Sequence, residues 1–116
     1  MASSIRELNL ELGRPSVDEA LRRLDYELAA AGMLRSKVFK LIHGYGSSGT
    51  GGKIRTACRK QLQFYKEQGR IADFIPGESF TIFDASTRRA FTVCAALRED
   101  RDLERENRGV TFVLMK

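Results

Sequence analysis

Between Lys40 and Arg55 the chain reads KLIHGYGSSGTGGKIR, and five of its ten glycines fall in this stretch. Branched and aromatic residues lead into it from Lys37 to Ile42, KVFKLI, a composition that predicts a short buried strand. Behind the glycines, Lys53 to Gln68 has apolar residues at Ile54, Ala57, Cys58, Leu62 and Tyr65, the spacing of one helical face, and Gly69 ends the pattern. A strand that runs into glycines and then into a helix is a general anion site. Glycine lets the backbone approach a ligand closely, and the first N–H groups of the helix have no intrahelical partners.

Working outward, Ile5 to Leu12 alternates apolar and polar residues in its second half and reads as a strand, broken by Gly13, Arg14 and Pro15. Ser16 with Glu19 three positions on is a capping-box pattern, and Val17, Ala20, Leu21, Leu24, Leu28 and Ala31 continue at helical spacing towards an end at Gly32. Arg70 to Ile75 is a third strand, stopped by Pro76-Gly77. Beyond it, Ser79 to Phe83 reads as extended, and Asp84 caps a short helix carrying Ala90, Phe91, Val93, Cys94 and Leu97. The segment EDRDLERENR, Glu99 to Arg108, has mixed charge and reads as a solvated helix end or loop. After Gly109, VTFVLM is a last strand that needs core burial. Alternating strands and helices predict an α/β fold, a small two-layer βαβαββ-type sandwich with a mixed sheet of about four strands. A helical insertion at about residues 78–108 precedes the last strand.

A chain of 116 residues suits one domain, here residues 1–116, and 42% hydrophobic with 30% charged residues fits a soluble globular protein. No apolar run approaches the roughly 20 residues of a membrane-spanning helix, and MASSIRELNLELG lacks a basic start and apolar core, so a cytoplasmic location without membrane association is expected. Cys58 and Cys94 stand apart with no CxxC spacing, which argues against zinc and for two buried small apolar side chains.

The net charge of +5 is unevenly spread. Residues 37–70 hold eight basic side chains against one acid, Glu67, whereas the segments on either side are each slightly acidic. A cluster of one sign steers the opposite charge towards it, so a polyanionic partner is expected. Three phosphate sites compete for the glycine stretch. A mononucleotide P-loop would need glycine where Ser47 stands and a hydroxyl where Ile54 follows Lys53. The dinucleotide fingerprint is met literally by Gly44-Tyr45-Gly46-Ser47-Ser48-Gly49, but Thr50-Gly51-Gly52 delays the helix and no acid closes a following strand at the required distance. The reading that uses the charge is a clamp for a nucleic-acid backbone. Here Lys53 and Arg55 in the first helical turn, with Arg59, Lys60 and Lys66 behind them, contact phosphates, and Tyr45 stacks on an unpaired base.

At these residues the chain resembles the Smr (small MutS-related) domain family. The family's second signature is a strand ending in His-Gly-x-Gly or Thr-Gly-x-Gly, a glycine-rich turn and a helix opening with an aliphatic residue and arginine. It is matched by His43-Gly44-Tyr45-Gly46 and Gly51-Gly52-Lys53-Ile54-Arg55. The first signature, Leu-Asp-x-His-Gly ahead of Val-x-Glu-Ala, aligns with Leu10-Glu11-Leu12-Gly13-Arg14 and Val17-Asp18-Glu19-Ala20, so Glu11 keeps the acid while Gly13 replaces the histidine. The resemblance implies binding of RNA or DNA, and nicking or RNA-cleaving endonuclease activity in which Glu11 and His43 are the candidate catalytic residues. His43, Gly44, Tyr45, Gly46, Gly51, Gly52, Lys53, Arg55, Arg59 and Lys60 are the candidate binding residues. The residues point to no certain cofactor; a nuclease of this kind could use a divalent metal, for which a single carboxylate is a thin ligand set. The other class of function is a protein-interaction module that docks a partner through the 78–108 insertion.

Overall fold

In the computed structural model, residues 5–34, 37–45 and 51–116 are described. The strands are β1 (Ile5–Asn9), β2 (Val38–Ile42), β3 (Ile71–Pro76) and β4 (Val110–Met115). The helices are α1 (Val17–Leu34), α2 (Gly51–Glu67) and α3 (Ala85–Val93). Among the described residues the four strands make one sheet in the order β1-β2-β4-β3. β1 and β2 run parallel, and β4 is antiparallel to both β2 and β3. This is the mixed α/β sheet expected, and the order is βαβαββ once α3, the helix of the expected insertion before the last strand, is set aside.

The local signals act as their chemistry dictates. Ser16 and Glu19 close a reciprocal capping box at the start of α1: the Ser16 N–H donates to the Glu19 carboxylate and the Glu19 N–H to the Ser16 hydroxyl. Asp84 caps α3 by accepting from the Thr87 N–H at 2.9 Å. α1 and α2 bury Leu24, Leu28, Ile54, Cys58 and Leu62 against Phe39, Leu41 and Val113 on one face of the sheet. The other face carries Val38, Ile75, Phe112 and Leu114, and the insertion covers it with Phe80, Phe91 and Leu97. The two cysteines are free and buried in these separate clusters, and burial pushes the Cys58 thiol up to about 12.

Several expected boundaries move. β1 stops at Asn9, and residues 10–13 form a turn in which Leu10 is fully buried. Gly32 does not end α1, which continues to Leu34. Ser79 to Phe83 is not extended: Gly77–Ser79 forms a 3₁₀ turn, and the following residues turn to present the Asp84 cap. Cys94 lies past the end of α3, and Leu97 belongs to a second 3₁₀ turn, Ala95–Glu99.

The largest departure concerns residues 99–108. Lys40 sits in the middle of β2 on the insertion side, 1% exposed, where an unpaired ammonium would be strongly destabilising. Asp100 and Asp102 meet it at 2.9 and 2.6 Å. Burial works to lower the Lys40 pKa, but the hydrogen bonds to Asp102 and Asp100 outweigh it and hold the pKa above its ordinary value. Part of the charged segment is therefore the internal counter-charge of the sheet rather than a solvated loop. Its end is also pinned to its beginning, since a side chain on Gly77 would overlap the Asn107 carbonyl.

Candidate nucleic-acid interface

The site forms where β1 and β2 end side by side. Parallel pairing aligns Asn9 with Ile42, and the Leu10 N–H donates to the Ile42 carbonyl at 2.8 Å, so the turn after β1 runs beside the residues that follow β2. The Glu11 carboxylate lies against Gly44, in the space a Cβ there would fill. Gly44 has φ +70°, a left-handed conformation that glycine adopts without a Cβ penalty. Its N–H and that of His43 both donate to the Gly109 carbonyl at 3.0 Å, which ties the start of the glycine stretch to the residue before β4.

His43 is sealed beneath this turn with no exposed surface. Its Nδ1 lies 2.7 Å from the Gly44 carbonyl and its Nε2 2.7 Å from the Thr111 hydroxyl. A carbonyl only accepts, so Nδ1 carries the proton. Burial, with help from the Arg59 and Arg55 guanidinium groups, lowers the ring's pKa to about 4, so Nε2 is bare at neutral pH and accepts from Thr111. Burial and two arginines thus keep the ring neutral. The Thr111 oxygen in turn accepts from Arg59 Nε at 3.0 Å.

Arg59 is committed further. Its guanidinium donates to both Glu78 carboxylate oxygens at 2.7 and 2.8 Å and to the Val110 carbonyl at 3.2 Å. Burial pushes Glu78 up, but the hydrogen bonds from Arg59 prevail and keep its carboxyl below the usual range. Arg59, expected among the phosphate-facing cations, therefore joins α2 to the start of the insertion. Lys66 is likewise paired, with Asp73 at 3.0 Å. Among the described residues Lys53, Arg55 and Lys60 form no ion pair, and α2 has no acid in its first turn. Lys53 and Lys60 are exposed and Arg55 is half-buried.

Gly51 opens α2, and Gly52 passes so near Tyr45 that a Cβ would lie 3.3 Å from the Tyr45 carbonyl oxygen. Tyr45, 57% exposed, thus stands beside the amino end of the helix. Gly46 lies outside the described residues. Tyr45 and Arg55 line an open groove of about 780 Å³ together with Asp102, Arg105, Glu106 and Arg108 of the insertion. Sequence reading missed Arg105 and Arg108. The signal available was Lys40 itself: a lysine in a strand otherwise apolar requires carboxylates, and the Asp100–Asp102 pair stands beside these arginines in the chain.

Among the described residues, no three His, Cys, Asp or Glu side chains are grouped to hold a metal ion. Both His43 nitrogens are engaged within the fold, which leaves the Glu11 carboxylate as the candidate oxygen ligand at this turn. No helix among the described residues is long and apolar enough to cross a membrane.

The sheet order and the turn over a buried histidine make a small α/β domain with an Smr-like fold. The crystal structure of the Smr domain of Thermus thermophilus MutS2 is similar over 96% of this chain and 98% of that one, with 26% sequence identity and a TM-score of 0.57. This chain fits a divergent Smr member, with Gly13 in place of the first-signature histidine. No protein-family profile matches the chain, and no curated protein matches it.

Proposed function

We propose that this Smr-like domain binds nucleic acid, RNA or DNA, through phosphate contacts at the amino end of α2, with Lys53 and Arg55 foremost and Lys60 two turns along the helix. The observation that carries this reading is the group of cations without ion pairs beside the exposed Tyr45. Cations at a helix amino end are mildly unfavourable in isolation, and a bound phosphate turns that repulsion into attraction. The likeness to an Smr domain supports the same kind of partner at family level. In this reading the missing side chain at Gly44 makes room for the Glu11 carboxylate and that at Gly52 for the Tyr45 carbonyl, while Gly51 opens α2. His43 acts from below as the post that holds the Gly44 turn, and Arg59 braces that post through Thr111.

The test is fluorescence anisotropy of labelled DNA and RNA oligonucleotides over a series of salt concentrations. Wild-type binding should weaken with salt. Arg55→Ala and Lys53→Ala should each weaken it further and flatten the slope of log K against log salt by about 0.7–0.9 for each phosphate no longer neutralised. Unchanged affinity and slope in both variants would overturn the proposal.

Cleavage, which the Smr resemblance implies, falls to Glu11 in this geometry, because its carboxylate faces the Gly44 turn while the His43 nitrogens are both bonded. A strand-cleavage activity that depends on a Glu11 base should drop about 10²-fold or more in Glu11→Gln. Equal cleavage by that variant and the wild type would overturn the Glu11 base. A protein partner is the second reading, favoured by Ile82 and Phe83 of the insertion, which are 50% and 82% exposed. It stands second because the insertion wall nearest Tyr45 carries two arginines.

A further inference from the structure

The 100–108 segment is built like a wall rather than a passive connection. Lys40 anchors it from beneath through Asp100 and Asp102. Asp102 accepts from the Asn107 amide at 2.9 Å, and the Asn107 side-chain oxygen accepts from the Gly109 N–H at 2.8 Å. The Gly109 carbonyl then holds His43 and Gly44. One line of bonds thus runs from the centre of the sheet, through the insertion, to the turn that presents Tyr45. On the outer side the Glu104 N–H donates to the Phe80 carbonyl, and its carboxylate accepts from Thr81 and from the Ile82 N–H. Glu104 and Glu106 flank Arg105 with φ +63° and +54°, left-handed conformations that non-glycine residues adopt only when their surroundings impose them.

From this arrangement we infer that the insertion supplies the second wall of a channel for an unpaired nucleic-acid strand. Arg105 and Arg108 line the groove with Arg55 to hold successive phosphates, and Tyr45 stacks on a base. The inference rests on the nucleic-acid reading given above and adds to it the strandedness of the ligand and two residues from outside the Smr signatures. Three guanidinium groups line the groove against two carboxylates, Asp102 and Glu106, so positive charge prevails there, and Lys40, shared with Asp100, offsets part of the Asp102 charge. About 780 Å³ lies within the roughly 300–1,000 Å³ typical of ligand pockets, and the groove is open to solvent. A tyrosine half in solvent beside a row of guanidinium groups suits a single strand. A duplex keeps its bases stacked on one another and has none to offer.

The test uses the full chain, wild type beside Arg105→Ala/Arg108→Ala, Tyr45→Ala and Arg55→Ala, with labelled single-stranded and blunt duplex oligonucleotides of equal length. All four substituted side chains are at least partly exposed, and an unchanged thermal midpoint in each variant verifies the fold. The double arginine variant should bind the single strand about tenfold more weakly, with a salt slope flatter by roughly 1.4, two single-strand phosphate contacts. Tyr45→Ala should lose roughly 5- to 150-fold on the single strand and little on the duplex. If Arg55→Ala weakens single-strand binding while the double arginine variant leaves affinity and slope unchanged, the channel is overturned and binding at α2 stands. If duplex is preferred and Tyr45→Ala has no effect, the strandedness is wrong. If the wild type binds neither probe at low salt, both readings fall together.

Discussion

Lys40→Met should destabilise the protein by about 3–5 kcal/mol, a large share of the about 5–15 kcal/mol that holds most domains folded. Methionine fills nearly the same volume in β2, so the effect is one of charge. Asp100 and Asp102, with side chains only 9% and 12% exposed, would be left facing each other over an apolar sheet. The Lys40 ammonium also lies 5.6 Å from the centre of the Phe112 ring, within cation–π range, and methionine removes that attraction too. The triple variant Lys40→Met, Asp100→Asn, Asp102→Asn should recover much of the stability, because a buried ion group is chiefly expensive when broken on one side only. Urea unfolding of the wild type and both variants measures this directly. An unchanged midpoint in Lys40→Met would mean that the carboxylates are solvated and that the insertion is held by its apolar residues alone. If the triad anchors the groove wall, Lys40→Met should also weaken nucleic-acid binding without touching a phosphate.

A second large effect follows from His43. The folded ring has a pKa of about 4, depressed from 6.5, so the unfolded chain takes up a proton at a pH where the folded chain does not. Stability from this source is fully present above pH 6.5 and is lost as the pH falls towards 4. Each pH unit in that window is worth about 1.4 kcal/mol, so roughly 2 kcal/mol should go between pH 7.5 and 5, and roughly 3 kcal/mol by pH 4. The chain has one histidine, so this window belongs to it. Asp73, Glu78 and Asp102 have depressed carboxyl pKa values, and their contributions, present above the ordinary carboxylate range, fall away only at lower pH. Denaturant unfolding from pH 7.5 to 5 should therefore show a falling stability in the wild type and an almost flat one in His43→Gln. The variant should start less stable, since an amide only partly reproduces the bonds to Gly44 and Thr111. An equal slope in both proteins would place the proton uptake elsewhere and show that the ring is not sealed in its neutral form.

What the amino-acid sequence determined by itself is the part governed by neighbours along the chain. Ser16 and Glu19 find each other across one helical turn, Asp84 meets the Thr87 N–H three residues on, and KVFKLI makes a strand that runs directly into the glycine stretch. The meeting of Glu11 with Gly44 was legible too, because a βαβ unit whose strands pair side by side in parallel brings their ends together. The tertiary structure alone decided which charges are paired inside the fold and which, among the described residues, stay without an ion pair. Arg55 and Arg59 look alike in the sequence, one helical turn apart. Glu78 and Thr111, which arrive from distant segments, take Arg59 and leave Arg55. His43 reads as a catalytic base until Thr111, 68 residues away, closes over Nε2. EDRDLERENR has the composition of a solvated loop because nothing local marks Asp100 as the partner of a lysine 60 residues earlier. Local patterns are set by backbone geometry over a few residues. The state of a charge is set by burial and by whichever opposite charge the fold delivers, and both arise only when the sheet and its insertion are assembled.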